Sequence, residues 1–397
     1  MTHTIDHTVV SHLESQLSAS TRRQLAAATD AVIQAKRAGG KVVVVTGSGP
    51  NLHEGVTTLI AELMRLGIVD GVTTSSAVVA HEMGGVLDRV KRVNGRSLEI
   101  DASMLPLGDA FELTEMDEST WQEIEAEMPF DRRLVDRIQE LPGESIIKAA
   151  GNLGYPMGLW IERLAVEVLW LARSRGIPFE EMAGAGCDPR TMLGAGASRQ
   201  LPVLVTIPQL VGGGAVGLAI GDSISITERA SRLARMLASA DVIIESAVAL
   251  TQEIHDGPLE THTGHGLWAA WQGHRTFSLA DKTLIRIDLD PALQQVWESQ
   301  RSNHAVQDAI DKGLPKTKIF EVPFRMEMSG FARLESSIPV TGDVGVIWPI
   351  LARNVCQQLD AHLDFMAYPQ HTERGQAMRD WIVREIHPIS RRRLLAA

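Results

Sequence analysis

The run Lys41-Val42-Val43-Val44-Val45-Thr46-Gly47-Ser48-Gly49-Pro50-Asn51 carries the strongest fold signal in the chain. Four consecutive β-branched residues suit a strand buried on both faces, as at the centre of a parallel sheet. Small residues follow in a tight turn, and a helix is expected from about Leu52 to Leu66. Gly67 stops that helix, and Val69-Asp70-Gly71-Val72-Thr73-Thr74 reads as the next strand. Strand, glycine-rich turn, helix and strand compose a βαβ unit, the building block of doubly wound sheets.

Working outward, apolar residues at helical spacing predict a helix over Ser11–Ala38, stopped by Gly39-Gly40. Acidic residues crowd Leu98–Glu144 and β-branched runs vanish there, which predicts an inserted, mostly helical excursion. The βα rhythm resumes with a helix at Leu159–Arg175, a short extended piece near Ile177-Pro178 and a Gly/Ala-rich loop from Gly184 to Gly196. A strand at Leu201–Pro208, a flexible Val211–Gly214 and a helix at Thr227–Ala238 come next. Asp241–Ile244, Thr283–Ile287 and Ile338–Thr341 read as later strands, and Val346–Leu359 as a closing helix. The expected class is therefore α/β, a doubly wound, mostly parallel, Rossmann-like sheet. Residues 1–40 are expected to form a helical extension, 41–360 the α/β domain with its acidic insert at 98–145, and 361–397 a C-terminal helix and solvated basic tail.

Of the 397 residues, 44% are hydrophobic, and 38 Lys and Arg against 49 Asp and Glu leave a net charge of −11. That sign excludes a non-specific binder of nucleic acid or anionic membrane, which needs a basic surface. Two cysteines, Cys187 and Cys356, make neither a disulfide framework nor a thiolate zinc site. Met1–Asp30 lacks the apolar core of a signal peptide, and no apolar window is long enough to span a bilayer, so a soluble cytoplasmic protein is expected.

Three places hold candidate chemistry. The Gly47-Ser48-Gly49-Pro50-Asn51 turn suits a phosphate at a helix start, although Leu52 stands where the third glycine of the dinucleotide fingerprint belongs. Thr74-Ser75-Ser76 lies at the carboxyl end of a strand, where open α/β sheets bind ligands, with plain helix capping as the alternative. His81 and Glu82 follow; being adjacent on a helix, at most one of them is expected to point inward. The richest stretch, Thr251–Gly266, carries Glu253, His255, Asp256, Glu260, His262 and His265 after a buried strand. It offers proton donors and acceptors near neutral pH. The same histidines with Glu253 could hold a metal, but no H-E-x-x-H or helical His pair occurs. Lys148, near Gly151-Asn152, could serve as a nucleophilic amine in an apolar pocket, surface placement being the plainer reading. Cys187 has no activating context.

Ser48–Gly55 continuing to Val69-Asp70-Gly71-Val72-Thr73-Thr74, then Gln252-Glu253-Ile254-His255-Asp256-Gly257, then Ile338–Val344 resemble in order the motifs of deoxyhypusine synthase. Ser75–Glu82, Arg175-Gly176-Ile177-Pro178-Phe179 and Val340-Thr341-Gly342-Asp343-Val344-Gly345 are similar to the archaeal-type NAD-dependent ornithine cyclodeaminase, the conserved region of a lysine-ketoglutarate reductase/saccharopine dehydrogenase protein. This second resemblance is the nearer one. It implies a doubly wound fold holding NAD, with a hydride taken from a carbon that bears an amine. Gly47, Ser48, Gly49, Asn51, Thr74, Ser75, Ser76, Gly342 and Asp343 would then line the dinucleotide. Glu253, His255 and Asp256 would face the substrate amine, Asp256 and Glu260 would hold its cationic group, and His81 or His265 would be the reserve acid. Lys148 and Asn152 would adjoin the substrate. Both relatives imply a homo-oligomer, a dimer or tetramer.

The lysine that deoxyhypusine synthases place after this motif is missing from Trp268-Ala269-Ala270-Trp271-Gln272-Gly273-His274-Arg275. The leading expectation is therefore an NAD-dependent deaminase or cyclodeaminase acting on a small cationic amine or amino acid. Its rivals are a deoxyhypusine- or homospermidine-synthase-like aminoalkyl transferase with Lys148 in the lysine role, a metal-dependent hydrolase built on 253–265, and a nucleotide-sensing module without turnover.

Overall fold

The computed structural model describes residues 5–47, 49–151, 154–210, 212–247, 281–289, 291–305, 308, 311–314 and 336–397. Among them the strands are, in chain order, Val42–Thr46 (β1), Gly71–Thr74 (β2), Leu87–Asn94 (β3), Ala110–Thr114 (β4), Gly143–Ala149 (β5), Val203–Val205 (β6), Val242–Ser246 (β7), Thr283–Asp288 (β8) and Ile338–Thr341 (β9). Six of them form one sheet in the order β6-β2-β1-β7-β8-β9, with every neighbouring pair parallel. Numbered within this sheet alone, the order is third, second, first, fourth, fifth, sixth. That is a pair of βαβαβ halves wound outward from the centre, and the winding reverses between β1 and β7.

The alternation of side chains across the strands builds two faces. Val42, Val44, Val72, Ile244, Ile285 and Val340 share one core with the helices Ala19–Arg37, Val56–Arg65 and Val344–Gln358. On the other face β7 and β8 place Glu245 opposite Arg286, both fully buried. Burial pushes the Glu245 carboxyl up to about 7 even beside that guanidinium.

Several expectations need correcting. The N-terminal helix is two, His7–Gln16 and Ala19–Arg37, because Ser18 leaves the helical path and its hydroxyl caps Thr21 N–H. The helix after β1 is also two, Pro50–His53 and Val56–Arg65. Gly55 separates them at φ +71, where a Cβ would meet the Met378 sulfur at 2.6 Å. The Gly184–Gly196 stretch is not a loop but two helices, Phe179–Gly186 and Met192–Arg199. Its glycines serve close approach: a Cβ on Gly184 would lie 2.4 Å from the Leu193 carbonyl oxygen.

The acidic insert does carry helices, Glu118–Glu127 and Arg132–Glu140, but they cover a three-stranded antiparallel sheet of order β4-β3-β5. Val93, Leu113, Trp121, Val135 and Ile138 give it a small core of its own. Nor is the basic end a solvated tail. Arg391–Ala396 is helical, Leu394 is buried, and Arg391 pairs with Glu167 at 2.8 Å. No helix among the described residues is long and apolar enough to cross a membrane.

Candidate functional site

The crevice where the winding reverses is bounded by the ends of β1 and β7, which stop in register at Thr46 and Ser246. Asn51, fully buried, ties the two together. Its Nδ2 donates to Gly47 O at 3.2 Å and Ser246 O at 3.0 Å, while its Oδ1 accepts from Ser246 Oγ at 2.6 Å. Trp348 Nε1 completes the network by donating to Ser246 Oγ at 2.7 Å. Asn51 therefore shapes the turn from beneath and has no donor left over for a ligand. Gly49 adopts φ +68 and ψ −110, and a Cβ placed on it would meet nothing within 4 Å among the described residues. Among those residues, space is open directly against the backbone of the turn. Ser48 falls outside the described residues.

At the end of β2, Thr74 Oγ1 is buried and without a hydrogen-bond partner among the described residues. Ser75 caps the helix Ser76–Met83 by accepting from Val78 N–H, the plainer of the two expectations for it. Ser76 Oγ accepts from Gln209 N–H at 3.1 Å and braces the loop after β6. Gly342 and Asp343 leave the end of β9. Asp343 caps the helix Val344–Gln358 through Gly345 N–H and stands close to Glu54, across Gly345. Burial raises the Glu54 carboxyl, the Gln370 N–H at 2.6 Å lowers it, and Asp343 raises it again.

His81 and Glu82 both point inward, against the expectation of one, because the helix Ser76–Met83 is buried on every side. They do different work. Glu82 accepts from Met192 N–H and Leu193 N–H, both at 2.9 Å, and so anchors the start of another helix. His81 Nδ1 donates to Ala150 O at 2.7 Å. Ala150 N–H in turn donates to Val86 O, and Val86 N–H to His81 O, which closes a ring of three bonds around the imidazole. Val86 holds φ +73 inside that ring, a conformation β-branched residues avoid and one that collects at functional sites. Burial holds the His81 ring below the ordinary histidine range, with His53 and Lys148 adding to the effect. With Nδ1 donating to Ala150 O, the neutral ring presents Nε2 as an acceptor, and burial favours that neutral form.

The surroundings of His81 contain residues that sequence reading passed over. Asp88, on β3, accepts from Gly151 N–H at 2.8 Å, and burial pushes it up to about 7, opposed by that bond and by Lys148. Lys148 Nζ donates to Glu112 at 2.7 Å, so its work is ion pairing on β5, a different task from that of a free nucleophilic amine. His53 lies one turn past the glycines, with Arg379 Nη2 at 3.5 Å from its Nδ1. Burial, then Arg379 and Lys148, hold its ring below the ordinary range. The signal for His53 was its position directly after the glycine turn. Asp88 and Arg379 had none, because only packing brings them there.

Asp88 gives a testable pH dependence. Its folded pKa lies above the unfolded value, so the folded state holds a proton that the unfolded chain releases between about pH 4 and 7. Its contribution to stability is present below that window and is lost as pH rises through it. Asp88→Asn keeps an acceptor for Gly151 N–H and removes the proton. Its unfolding free energy is expected to fall less steeply with pH by up to about 1.4 kcal/mol per unit. Denaturant unfolding at about pH 5, 6 and 7 checks this, and parallel slopes for the two proteins would refute it.

Glu253, His255, Asp256, Glu260, His262, His265 and Asn152 lie outside the described residues. Among the described residues no group of three His, Cys, Asp or Glu side chains could hold a metal. Cys187 is buried with its thiol raised far above the ordinary range by desolvation, so it is no nucleophile.

No family profile matches the chain, and no curated protein matches it. Solved structures resemble it at low similarity. ArgZ, an arginine dihydrolase from the ornithine–ammonia cycle in cyanobacteria, is 15% identical with a TM-score of 0.40, over 86% of this chain and 33% of that one. A conserved putative LOR/SDH protein from Methanococcus maripaludis S2 is 10% identical with a TM-score of 0.39, over 91% and 72%. AgrE, in a ternary complex with ornithine and NAD+, is 13% identical with a TM-score of 0.38, over 90% and 34%. The chain thus spans about a third of the length of ArgZ and AgrE. These are likenesses at a level that assigns the chain to no family.

Proposed function

We propose that the chain is an NAD-dependent enzyme that oxidises a carbon–nitrogen bond of a small amine or amino acid transiently, with a deaminating or cyclodeaminating outcome. One observation carries the coenzyme half of this reading: the sheet reverses its winding at β1 and β7, and the glycine turn stands at that reversal. Dinucleotides bind at such switch points, with the pyrophosphate against the first βα turn.

The residues present fit the group in two places. The space beside Gly49, open among the described residues, can receive phosphate against the backbone, and the Thr74 hydroxyl, without a partner among those residues, stands at the end of β2, where a ribose reaches. There is one departure. The acidic residue about 20 positions past the glycines, Asp70, lies at the opposite edge of the sheet, bonded to Val42 N–H and paired with Lys36 at 2.8 Å. Hydroxyls of Thr74, Ser75 and Ser76 occupy the usual carboxylate position, which removes a repulsion against a 2′-phosphate.

When bound, NAD+ supplies the hydride acceptor. Hydride leaves readily only from a carbon bearing a neutral amine, so a base must first take the ammonium proton. Glu253 or His255, on the segment that follows β7, is placed in that role, with Asp256 and Glu260 holding a cationic group. His81, in the helix that follows β2 and locked by its ring of bonds, supports a second proton acceptor.

Calorimetric titration with NAD and analysis of small molecules released on denaturation test the coenzyme. If none co-purifies and none binds at millimolar concentration, the reading fails. Glu253→Gln is expected to leave dinucleotide binding intact while turnover falls; unchanged turnover would remove Glu253 from the mechanism.

A further inference from the structure

We infer that Arg379, His53 and Lys148 form a subsite for a carboxylate, so that the substrate is an amino acid carrying its acid group and not a simple amine or a polyamine. The inference rests on the proposed reaction for the word substrate; the anion site itself does not.

The three side chains come from distant parts of the chain and are all half-buried, within reach of solvent yet partly stripped of it. Arg379 belongs to the helix Glu373–Glu385, His53 ends the helix Pro50–His53, and Lys148 lies on β5. Lys148 faces two carboxylates, Glu112 and, across the strand pair, Asp88, whose burial favours its uncharged form. Lys148 and Arg92 share one carboxylate, that of Glu112. Arg379 donates to the Ile147 carbonyl and approaches His53, but makes no ion pair among the described residues, and its buried Nε has no partner.

The two carboxylates close to Arg379, Glu54 and Asp380, offset the effect of its burial only in part. Glu54 is engaged by Gln370 N–H, and its burial favours the uncharged acid. Asp380 is drawn off by Arg89. A guanidinium taken partly out of water with a donor unfilled is costly, and an anion that accepts from that donor removes the cost.

The position separates this subsite from the coenzyme phosphates. Gly49 stands at one end of the helix Pro50–His53, and His53 at the other. A carboxylate held at His53 and Arg379 would therefore lie beside the glycine cradle, next to the His81 imidazole whose charge state His53 and Lys148 already influence.

The His53 imidazole reports occupancy directly. Its NMR resonance, assigned by its loss in His53→Gln, is titrated with pH in the presence of propanoate, butylamine, inorganic phosphate or NAD at equal ionic strength. Propanoate is expected to raise the His53 pKa by about one unit, the shift that one opposite charge at close range produces. Butylamine is expected to leave it in place. In Arg379→Gln the propanoate shift should vanish while NAD affinity is kept, and Arg379→Lys, which retains charge without the planar fork, should keep part of it. A propanoate shift in a protein that binds no NAD would overturn the coenzyme reading and leave the anion site standing. A shift with NAD alone, with none from propanoate, would assign the cations to coenzyme phosphate and overturn the carboxylate subsite. No shift with any anion would overturn it as well.

Discussion

Gly49→Ala is expected to weaken NAD binding by about 10- to 100-fold while leaving the melting temperature nearly unchanged. Gly49 sits at φ +68 and ψ −110, a region that residues with a Cβ occupy only under strain. Holding alanine there costs about 1–3 kcal/mol, the range for a residue forced into a sparsely populated backbone region. Among the described residues the added methyl strikes no atom, since none lies within 4 Å of its position. The turn can therefore escape the strain by shifting its backbone outward, into the space that the coenzyme phosphates would fill. Affinity takes the loss, and stability is spared. Calorimetric Kd values for NAD, beside thermal melts of the same samples, check both halves. An unchanged Kd would place the phosphates elsewhere and sink the switch-point assignment.

Arg229→Met is expected to cost about 3–5 kcal/mol, the range for leaving one member of a buried ion pair behind. Arg229 and Glu180 are 1% and 0% exposed, side chain against side chain. The guanidinium also donates to the carbonyls of Val205 at 2.9 Å and Ile220 at 2.8 Å, while Glu180 accepts from Val205 N–H at 2.6 Å. Between them they satisfy the backbone of the short edge strand β6 and tie it to two helices. Methionine fills much of the volume but makes none of these bonds, and Glu180 is left buried without its cation. The melting temperature should fall by about 4–6 °C on the scale of a protein this large. The double variant Arg229→Met/Glu180→Met should recover a large part of the loss, because the penalty comes from the orphaned charge. If the single variant melts within a degree of the wild type, the pair carries little of the stability of β6.

Both variants touch features of unequal legibility. The Val42–Val45 run announced a central strand because no half-exposed strand carries four β-branched residues in a row. The glycine turn was equally plain. Arg229 and Glu180 read as ordinary helix-surface charges in sequence, since an ion pair between residues 49 apart leaves no local mark. The insert was misread for a related reason. β3 and β5 pair through stretches rich in charge, Leu-Asp-Arg-Val-Lys-Arg-Val-Asn and Gly-Glu-Ser-Ile-Ile-Lys-Ala, so their outward charges hid the period-two alternation. Glycines between Gly184 and Gly196 signalled a loop, whereas their use is to let two helices touch backbone to backbone.

The candidate site divides the same way. Gly49 and Thr74 could be picked out because one follows β1 in its glycine turn and the other ends β2, and the carboxyl edge of a parallel sheet is set by chain direction alone. Asn51 could be picked out but not understood: its amide is spent on Gly47 and Ser246, and only the parallel pairing of β1 with β7 brings those acceptors together. Arg379, Lys148 and His53 meet across 326 positions of chain.

By itself, then, the sequence determined the βα alternation, the central strand and the glycine turn, because these rest on local periodicity and on backbone conformations that few residues allow. Only the tertiary structure decided the strand order that creates the crevice, the conversion of Asn51, Ser75 and Glu82 into scaffold, and the gathering of Arg379, His53 and Lys148 beside His81. Those outcomes depend on which distant groups share a desolvated space, and burial, not chain proximity, sets the energy of a charge or a hydrogen bond there.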